Sequence, residues 1–371
     1  MPAAARSRPW SAIALAAFVA VTIGLLFVFA PNRRAAAAPG GGLPLSAPLP
    51  DRVPADTVLT VGDPITEWVV KHNGWDRGLA YTIKWVRITG GPEVTEAFHA
   101  KALDVGLGAN VPPIHATWVG LPVRIIAFRY REQPLDHPSW TFGIAPGAQV
   151  RSIADFRGKR IAFSPSQVQS QIVLQTLAAA GLTPRDVKLV ELPSSIGGDV
   201  YTSALASNEV DIAPLGGGIV AERYLRKFGD RGARLLPHPP FRDDAVLAYV
   251  PEEVLEDPAK AAALKQFAQL WGRAQRWVRD HPDELARGYY VGDQGLPLAD
   301  AQLIVNAAGE PDIPADWDDA VRYQQEAIDL IAPQTGRPRF AADNLFDHRF
   351  ETLAAAGFAG SVAPPTGKLP R

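Results

Sequence analysis

The 371-residue chain contains no cysteine. That excludes a disulfide framework, cysteine-ligated metals, a thiol nucleophile and the lipidated cysteine of a bacterial lipoprotein anchor. Histidine is sparse: the seven are scattered, and no His-x-x-x-His or His-Glu-x-x-His spacing supports a zinc enzyme. No Gly-x-x-x-x-Gly-Lys-Ser/Thr loop occurs, so a nucleotide triphosphatase is excluded too. Acidic residues are missing from the first 42 positions, which hold Arg6, Arg8, Arg33 and Arg34. Since the whole chain carries a formal net charge of only −2, the remainder is acidic and offers nucleic acid no electrostatic footing. No metal and no cofactor is expected.

What is present is ample core material. Hydrophobic residues make up 47% of the sequence against 20% charged, and this length suggests two domains. Residues 11–30 read SAIALAAFVAVTIGLLFVFA without a charge. As a helix they would extend about 30 Å, enough to cross a hydrocarbon core. With arginines before it and the alanines 35–38 after it, residues 1–42 read as a signal peptide or a membrane anchor. The run is long for a signal, and Arg33-Arg34 would serve as a stop, so both readings stand. Either one delivers the body to the outside of the cytoplasmic membrane, periplasmic or otherwise extracytoplasmic. The stretch 39–56 is rich in Pro and Gly, and residues 43–56 within it are expected to be a linker.

From Thr57 onward, short β-branched runs alternate with loops and helical stretches. Strands are predicted at 57–61, 82–88, 104–108, 123–128, 160–163, 187–192, 210–214 and 245–250. Helices are predicted near 64–72, 92–101, 112–119, 167–180, 199–207 and 217–228. Such alternation argues for α/β layers with mainly parallel sheets. After Pro258 an apolar stripe including Phe267, Trp271 and Trp277 marks a long amphipathic helix, and Pro282 restarts a second. A further helix is predicted near 317–331.

Three places join a strand end, a loop and a helix start: LGANVPPIHATW (107–118), AFSPSQVQSQIVLQTLAAAGL (162–182) and IAPLGGGIVAERYL (212–225). Each offers free backbone N–H groups and the positive end of a helix dipole, which suit an oxyanion. Glycines such as Gly216 and Gly217 allow close approach, and Ser164 and Ser166 add hydroxyl donors. An ordinary capped loop would read the same way at each place. Asp63 and Trp68 are candidates for a cleft wall. Arg242 is a candidate for closing over an anion, with a surface ion pair as its plainer reading, and His115 reads as a packing residue. No spacing of carboxylates singles out a catalytic pair, and no catalytic residue is assigned.

Three blocks in order carry a resemblance: GGPEVTEAFHAKALDVGLGANVPPIHATWVGLPVRIIAF (90–128), SIADFRGKRIAFSPSQVQSQIVLQTLAAAGLTPRDVKLVELP (152–193) and ALASNEVDIAP (204–214). At these motifs the chain resembles ABC-importer substrate-binding proteins of the nitrate/sulfonate/taurine group, most of all the aliphatic-sulfonate-binding proteins. The resemblance implies an α/β fold of the two-lobe, type II periplasmic-binding-protein kind with a discontinuous first lobe. Lobe one is expected at 57–145 and 235–371 and lobe two at 146–234, with crossings near 142–145 and 234–240. It also implies an extracytoplasmic protein that binds a small organic anion and hands it to an ABC permease with its ATPase. Carried over, the sulfonate-contacting positions fall on Asn110 and Val111, on Ser164, Ser166 and Gln167, and on Asp199 with the helix after it. The chain departs from the family pattern in reading Ser164-Pro165-Ser166-Gln167-Val168 in the serine loop and Pro214-Leu215 with three glycines after Val210-Asp211-Ile212. Two alternatives remain: a dehydratase-like enzyme on the same fold, and a membrane-tethered ligand sensor.

Overall fold

The structure, a computed structural model, describes residues 42–88, 90–193 and 199–360. The apolar segment 11–30, expected as signal or anchor, lies outside the described residues. No helix among the described residues is long and apolar enough to cross a membrane.

Eleven strands are described: β1 (Val58–Gly62), β2 (Thr82–Trp85), β3 (Val105–Gly108), β4 (Val123–Arg131), β5 (Trp140–Ile144), β6 (Arg160–Phe163), β7 (Lys188–Glu191), β8 (Ile212–Gly216), β9 (Arg234–Leu236), β10 (Val246–Pro251) and β11 (Pro311–Asp312). They form a six-stranded sheet in the order β11-β4-β10-β3-β1-β2 and a five-stranded sheet in the order β7-β6-β8-β5-β9. Helices α1 (Pro64–His72), α2 (Gly91–His99), α3 (Val111–Trp118), α4 (Val168–Ala179), α5 (Asp199–Ala206) and α6 (Ile219–Phe228) fill the strand-to-strand connections. The carboxyl-terminal part adds α7 (Glu252–Leu255), α8 (Pro258–Asp280), α9 (Pro282–Leu285), α10 (Leu298–Asn306), α11 (Asp318–Thr335) and α12 (Leu353–Ala359).

The first sheet is a hydrophobic centre because its strands are apolar on both faces: Ile125, Ile126, Ala127 and Phe128 of β4 are all fully buried. Helix α8 lays its stripe of Leu264, Phe267 and Trp271 against this sheet, as its 3.6-residue periodicity predicts. The second sheet has its own clusters, around Phe142, Phe156 and Ile172 and around Leu205, Leu215 and Tyr224. Close contact explains several glycines. A Cβ on Gly106 would stand 2.3 Å from Val94 Cγ1, so α2 sits directly on β3.

Four expectations are corrected. Strand β5 pairs antiparallel with β8 and β9, so it belongs to the second sheet and not to the first lobe. Strand β9 accompanies it, which moves the crossings from 142–145 and 234–240 to 132–139 and 237–245. The second helix after Pro282 is only one turn of α-helix, followed by a π-helix at Ala286–Asp293. The linker at 43–56 is docked rather than free. Leu43 donates its N–H to Glu256 O at 2.7 Å, and Arg349 Nη1 donates to Ala47 O at 2.9 Å. Leu45 and Leu49 pack on the core and Val53 is buried; these apolar side chains are why the segment lies down.

Candidate functional site

Strands β1, β2 and β3 are parallel, and β10 runs antiparallel to both β3 and β4, so β1 to β4 point the same way. In the second sheet β6, β7 and β8 share one direction. The carboxyl ends of both sets open onto a single cleft of about 2120 Å³. Open α/β folds gather ligands at this edge. Asp63 follows β1 there, Gly108-Ala109 end β3, Arg129 and Arg131 end β4, Ser164 follows β6, and Gly216-Gly217 end β8.

All three strand–loop–helix junctions therefore meet in one cavity. Their helices begin without a side-chain cap: the N-cap residues are Asn110 for α3, Gln167 for α4 and Gly218 for α6, and none accepts a capping bond. The serine-cap reading of the second loop is thereby set aside, because Gln167 and not a serine holds the cap position. The first-turn N–H groups of α4 and α6, left without a cap and with the positive dipole end behind them, are suited to an acceptor-rich ligand. Helix α3 has Pro112 and Pro113 in its first turn, which have no N–H to offer.

Of the nine expected site residues, seven line the cleft: Asp63, Trp68, Ser164, Ser166, Gln167, Gly216 and Gly217. Ser164 is 4% exposed and lies beside the Tyr201 phenol, whereas Ser166 and Gln167 are half-buried at the cavity wall. Gln167 reaches across to the first lobe, where a Cβ on Gly91 would stand 3.2 Å from its Oε1. Gly217 needs to be glycine, since a Cβ would come 2.9 Å from Pro138 O. Trp68 is a packing residue with an edge on the cleft. His72 stacks on it at 4.5 Å between ring centroids, and the backbone of Gly288 presses on the indole.

Asn110 and Val111 are the two expected residues that the structure does not bring to the wall. Both are fully buried. Asn110 already has helical backbone angles, which turn its side chain inward. Its Nδ2 donates to Gln171 Oε1 of α4 at 2.5 Å, and its carbonyl accepts from Gln324 Nε2 of α11 at 3.0 Å. Val111 sits in the apolar cluster of the second lobe beside Ile331. These residues join the lobes along one edge. At a second contact, Arg223 and Arg226 of α6 reach Asp300 of α10 at 3.1 and 3.2 Å. Of Asp199 only the backbone is described; its neighbour Val200 lines the cleft. Arg242 stacks on Tyr130, 3.8 Å from the ring centroid, and pairs with Asp244 at 3.5 Å, as an ion pair rather than an anion clamp.

Sequence reasoning missed the cations. Arg87, Arg129 and Arg131 line the cleft on the first lobe, with Gln275, Tyr289 and Tyr290 nearby. Burial, with Arg131 close by, pulls the Arg129 guanidinium down to about 10. Burial and the neighbouring Tyr289 push Tyr290 up to about 12. The available signal was RYR at the end of a strand whose middle, Ile125 to Phe128, is apolar, and whose alternate positions carry the arginines to the ligand edge.

Burial also holds the Asp63 carboxyl above its usual range, against the Thr66 hydrogen bonds and Arg129 that lower it. Its Oδ1 accepts the Thr66 N–H at 3.0 Å as the cap of α1. Asp244 is raised by burial as well. Raised carboxyls take up protons on folding, so their contribution to stability grows as pH falls through their folded values toward the unfolded value of about 3.9. Asp155, Asp186 and Asp300 are held low, by hydrogen bonds from Arg151, Thr183 and Arg223 respectively. Their contribution is present above the unfolded value of about 3.9 and lost below it. The expected result is a stability maximum on the acid side, with Asp63→Asn flattening the approach to it. Urea unfolding across this pH range checks this; a wild-type optimum at neutral pH would contradict it.

A family model described as NMT1/THI5 like matches residues 76–285. A curated relative, the putative aliphatic sulfonates-binding protein of Escherichia coli (strain K12), is 26% identical over 106 residues. That match covers 29% of this chain and 32% of the relative's length. Among solved structures, the alkanesulfonate-binding protein SsuA from Xanthomonas axonopodis pv. citri bound to MOPS superposes with a TM-score of 0.63 and 19% identity, covering 82% of this chain and 98% of that one. The desulfurization enzyme DSZB shares the fold with a TM-score of 0.54 and 15% identity, over 80% of this chain and 98% of its own. The architecture is thus the two-lobe periplasmic-binding-protein fold.

Proposed function

The chain belongs to the NMT1/THI5-like family, and from that membership we propose that it is the extracytoplasmic solute-binding component of an ABC importer. It captures a small organic anion, sulfonate-like, between its two lobes and passes it to a permease with its ATPase. The observation that carries this reading is the convergence of three strand–loop–helix junctions, from both lobes, on one cleft edged by arginines, with the uncapped starts of α4 and α6 on its second-lobe wall. The sulfonate-binding relative and structural neighbour point to the same ligand chemistry. A ligand touching both lobes favours the closed state by its differential affinity.

The reading is capture without turnover. The fold also carries an enzyme, DSZB, but this chain has no cysteine to act as a nucleophile. A thermal-shift panel of alkane- and arylsulfonates, taurine, nitrate, bicarbonate and thiamine precursors tests the proposal, because a ligand of the folded state raises stability. Recovery of the hit unchanged after incubation separates binding from catalysis. Small-angle scattering should show ligand-dependent compaction.

Ser166→Ala is expected to weaken the best ligand by about 1–3 kcal/mol through loss of a hydrogen bond to a charged group. Titration calorimetry checks this, and an unchanged affinity removes the serine loop from the site. Cleavage near residues 36–38 would make the protein a free carrier, whereas an intact amino terminus would favour the tethered sensor.

A further inference from the structure

We propose that Arg129 receives the negative charge of the ligand, so that the first lobe takes the anion by charge and the second closes over it with neutral donors. This rests on the anion-binding reading above and assigns its charge contact. Arg129 stands at the carboxyl end of β4 with its guanidinium on the cleft. Its Nη1 donates to Gln275 Oε1 of α8 at 3.0 Å, which fixes the plane of the group. Its Nε is buried and finds no hydrogen-bond partner among the described residues. No described carboxylate lies within ion-pairing distance of it. Arg129 is half-buried, and a guanidinium only partly open to water with a buried, unused donor is costly unless an acceptor arrives from outside the chain.

The other cleft arginines are differently placed. Arg131 also has a buried Nε without a partner among the described residues, but it donates its Nη1 to His137 O and its backbone N–H to Asp244, and Asp243 and Asp244 offset its charge. Arg87 is exposed, so water satisfies it, and Arg279 pairs with Asp280 at 2.8 Å. Tyr290, brought inward by the π-helix, lines the cleft close enough to Arg129 to feel its charge. The facing wall is different in kind. Among its described lining residues, which include Trp140, Ser166, Gln167 and Gly217, the second lobe has no cationic side chain, and Glu191 is its one charge. The two walls therefore supply different things: formal charge from one, where carboxylates such as Glu67, Glu93 and Asp293 stand among the cations, and N–H and O–H dipoles from the other.

This division predicts different kinetics for the two walls, since charge governs encounter and buried polar contacts govern escape. The test uses the full body of the protein, 1-butanesulfonate as probe and stopped-flow tryptophan fluorescence. Arg129→Gln should lower affinity by about 30-fold, largely through a slower association rate with a flattened ionic-strength dependence. Arg129→Lys should restore that dependence while recovering part of the affinity, and it serves if the glutamine variant fails to fold. Ser166→Ala should instead raise the dissociation rate. If Arg129→Gln binds the sulfonate like wild type with the same salt dependence, or Arg129→Lys in its place binds it with undiminished affinity, the assignment is overturned while anion binding stands. If wild type ignores sulfonates, carboxylates and inorganic sulfate, both readings are overturned together.

Discussion

Asp243→Ala is expected to cost about 3–5 kcal/mol of folding stability, the range for breaking a buried charged network by removing one partner. The Asp243 carboxylate is 1% exposed. Its Oδ1 accepts the N–H of Ser139 at 3.0 Å, and its Oδ2 accepts that of Trp140 at 2.8 Å and faces His238 Nε2 at 3.0 Å. Those partners come from both crossings between the sheets, so one side chain fastens the two connections to each other. Alanine leaves two main-chain donors and an imidazole without their acceptor in a place water does not reach. Urea unfolding measures the loss, and a cost below about 1 kcal/mol would mean that the crossings do not depend on this residue.

The second large effect is Gly272→Val, expected to cost about 3 kcal/mol or more. Two effects oppose each other here. Removing a mid-helix glycine in favour of a residue with better helix propensity gains a few tenths of a kcal/mol. Against that, a Cβ at Gly272 would lie 1.9 Å from Ala354 O, and one at Gly357 would lie 2.0 Å from Gln269 O. Helices α8 and α12 touch backbone to backbone at these two glycines, and any side chain forces them apart. The overlap wins by a wide margin. Thermal unfolding with and without the reciprocal Gly357→Val tests it: because one displacement relieves both clashes, the double variant should lose less than the sum of the singles.

The alternation of strand and helix was readable because apolar periodicity is local. Every strand predicted from β-branched runs is found, with ends differing by a few residues, and the long helix after Pro258 is in place. What escaped was short or non-local. Strand β9 has three residues and β11 two, too few for a period to register. β5 carries Gly143 mid-strand, where a Cβ would stand 2.6 Å from Leu215 Cδ1, so what reads as a loop residue is a packing requirement. The three loops were identified from their residue types, and their meeting in one cleft follows from strand direction. Asn110 misled because its position in the loop is right while its side chain points the other way. Arg129 was passed over because the sequence does not reveal that Nε would be buried without an acceptor.

The amides of Asn110, Gln171 and Gln324 tie the lobes together in a fully buried contact, whereas Arg223 and Arg226, which reach Asp300, are exposed. A door hung this way swings furthest at the latch. A pair of spectroscopic labels flanking α6 and α10 would record a long excursion for a few degrees of rotation. The same labels set beside the buried amides would stay nearly still.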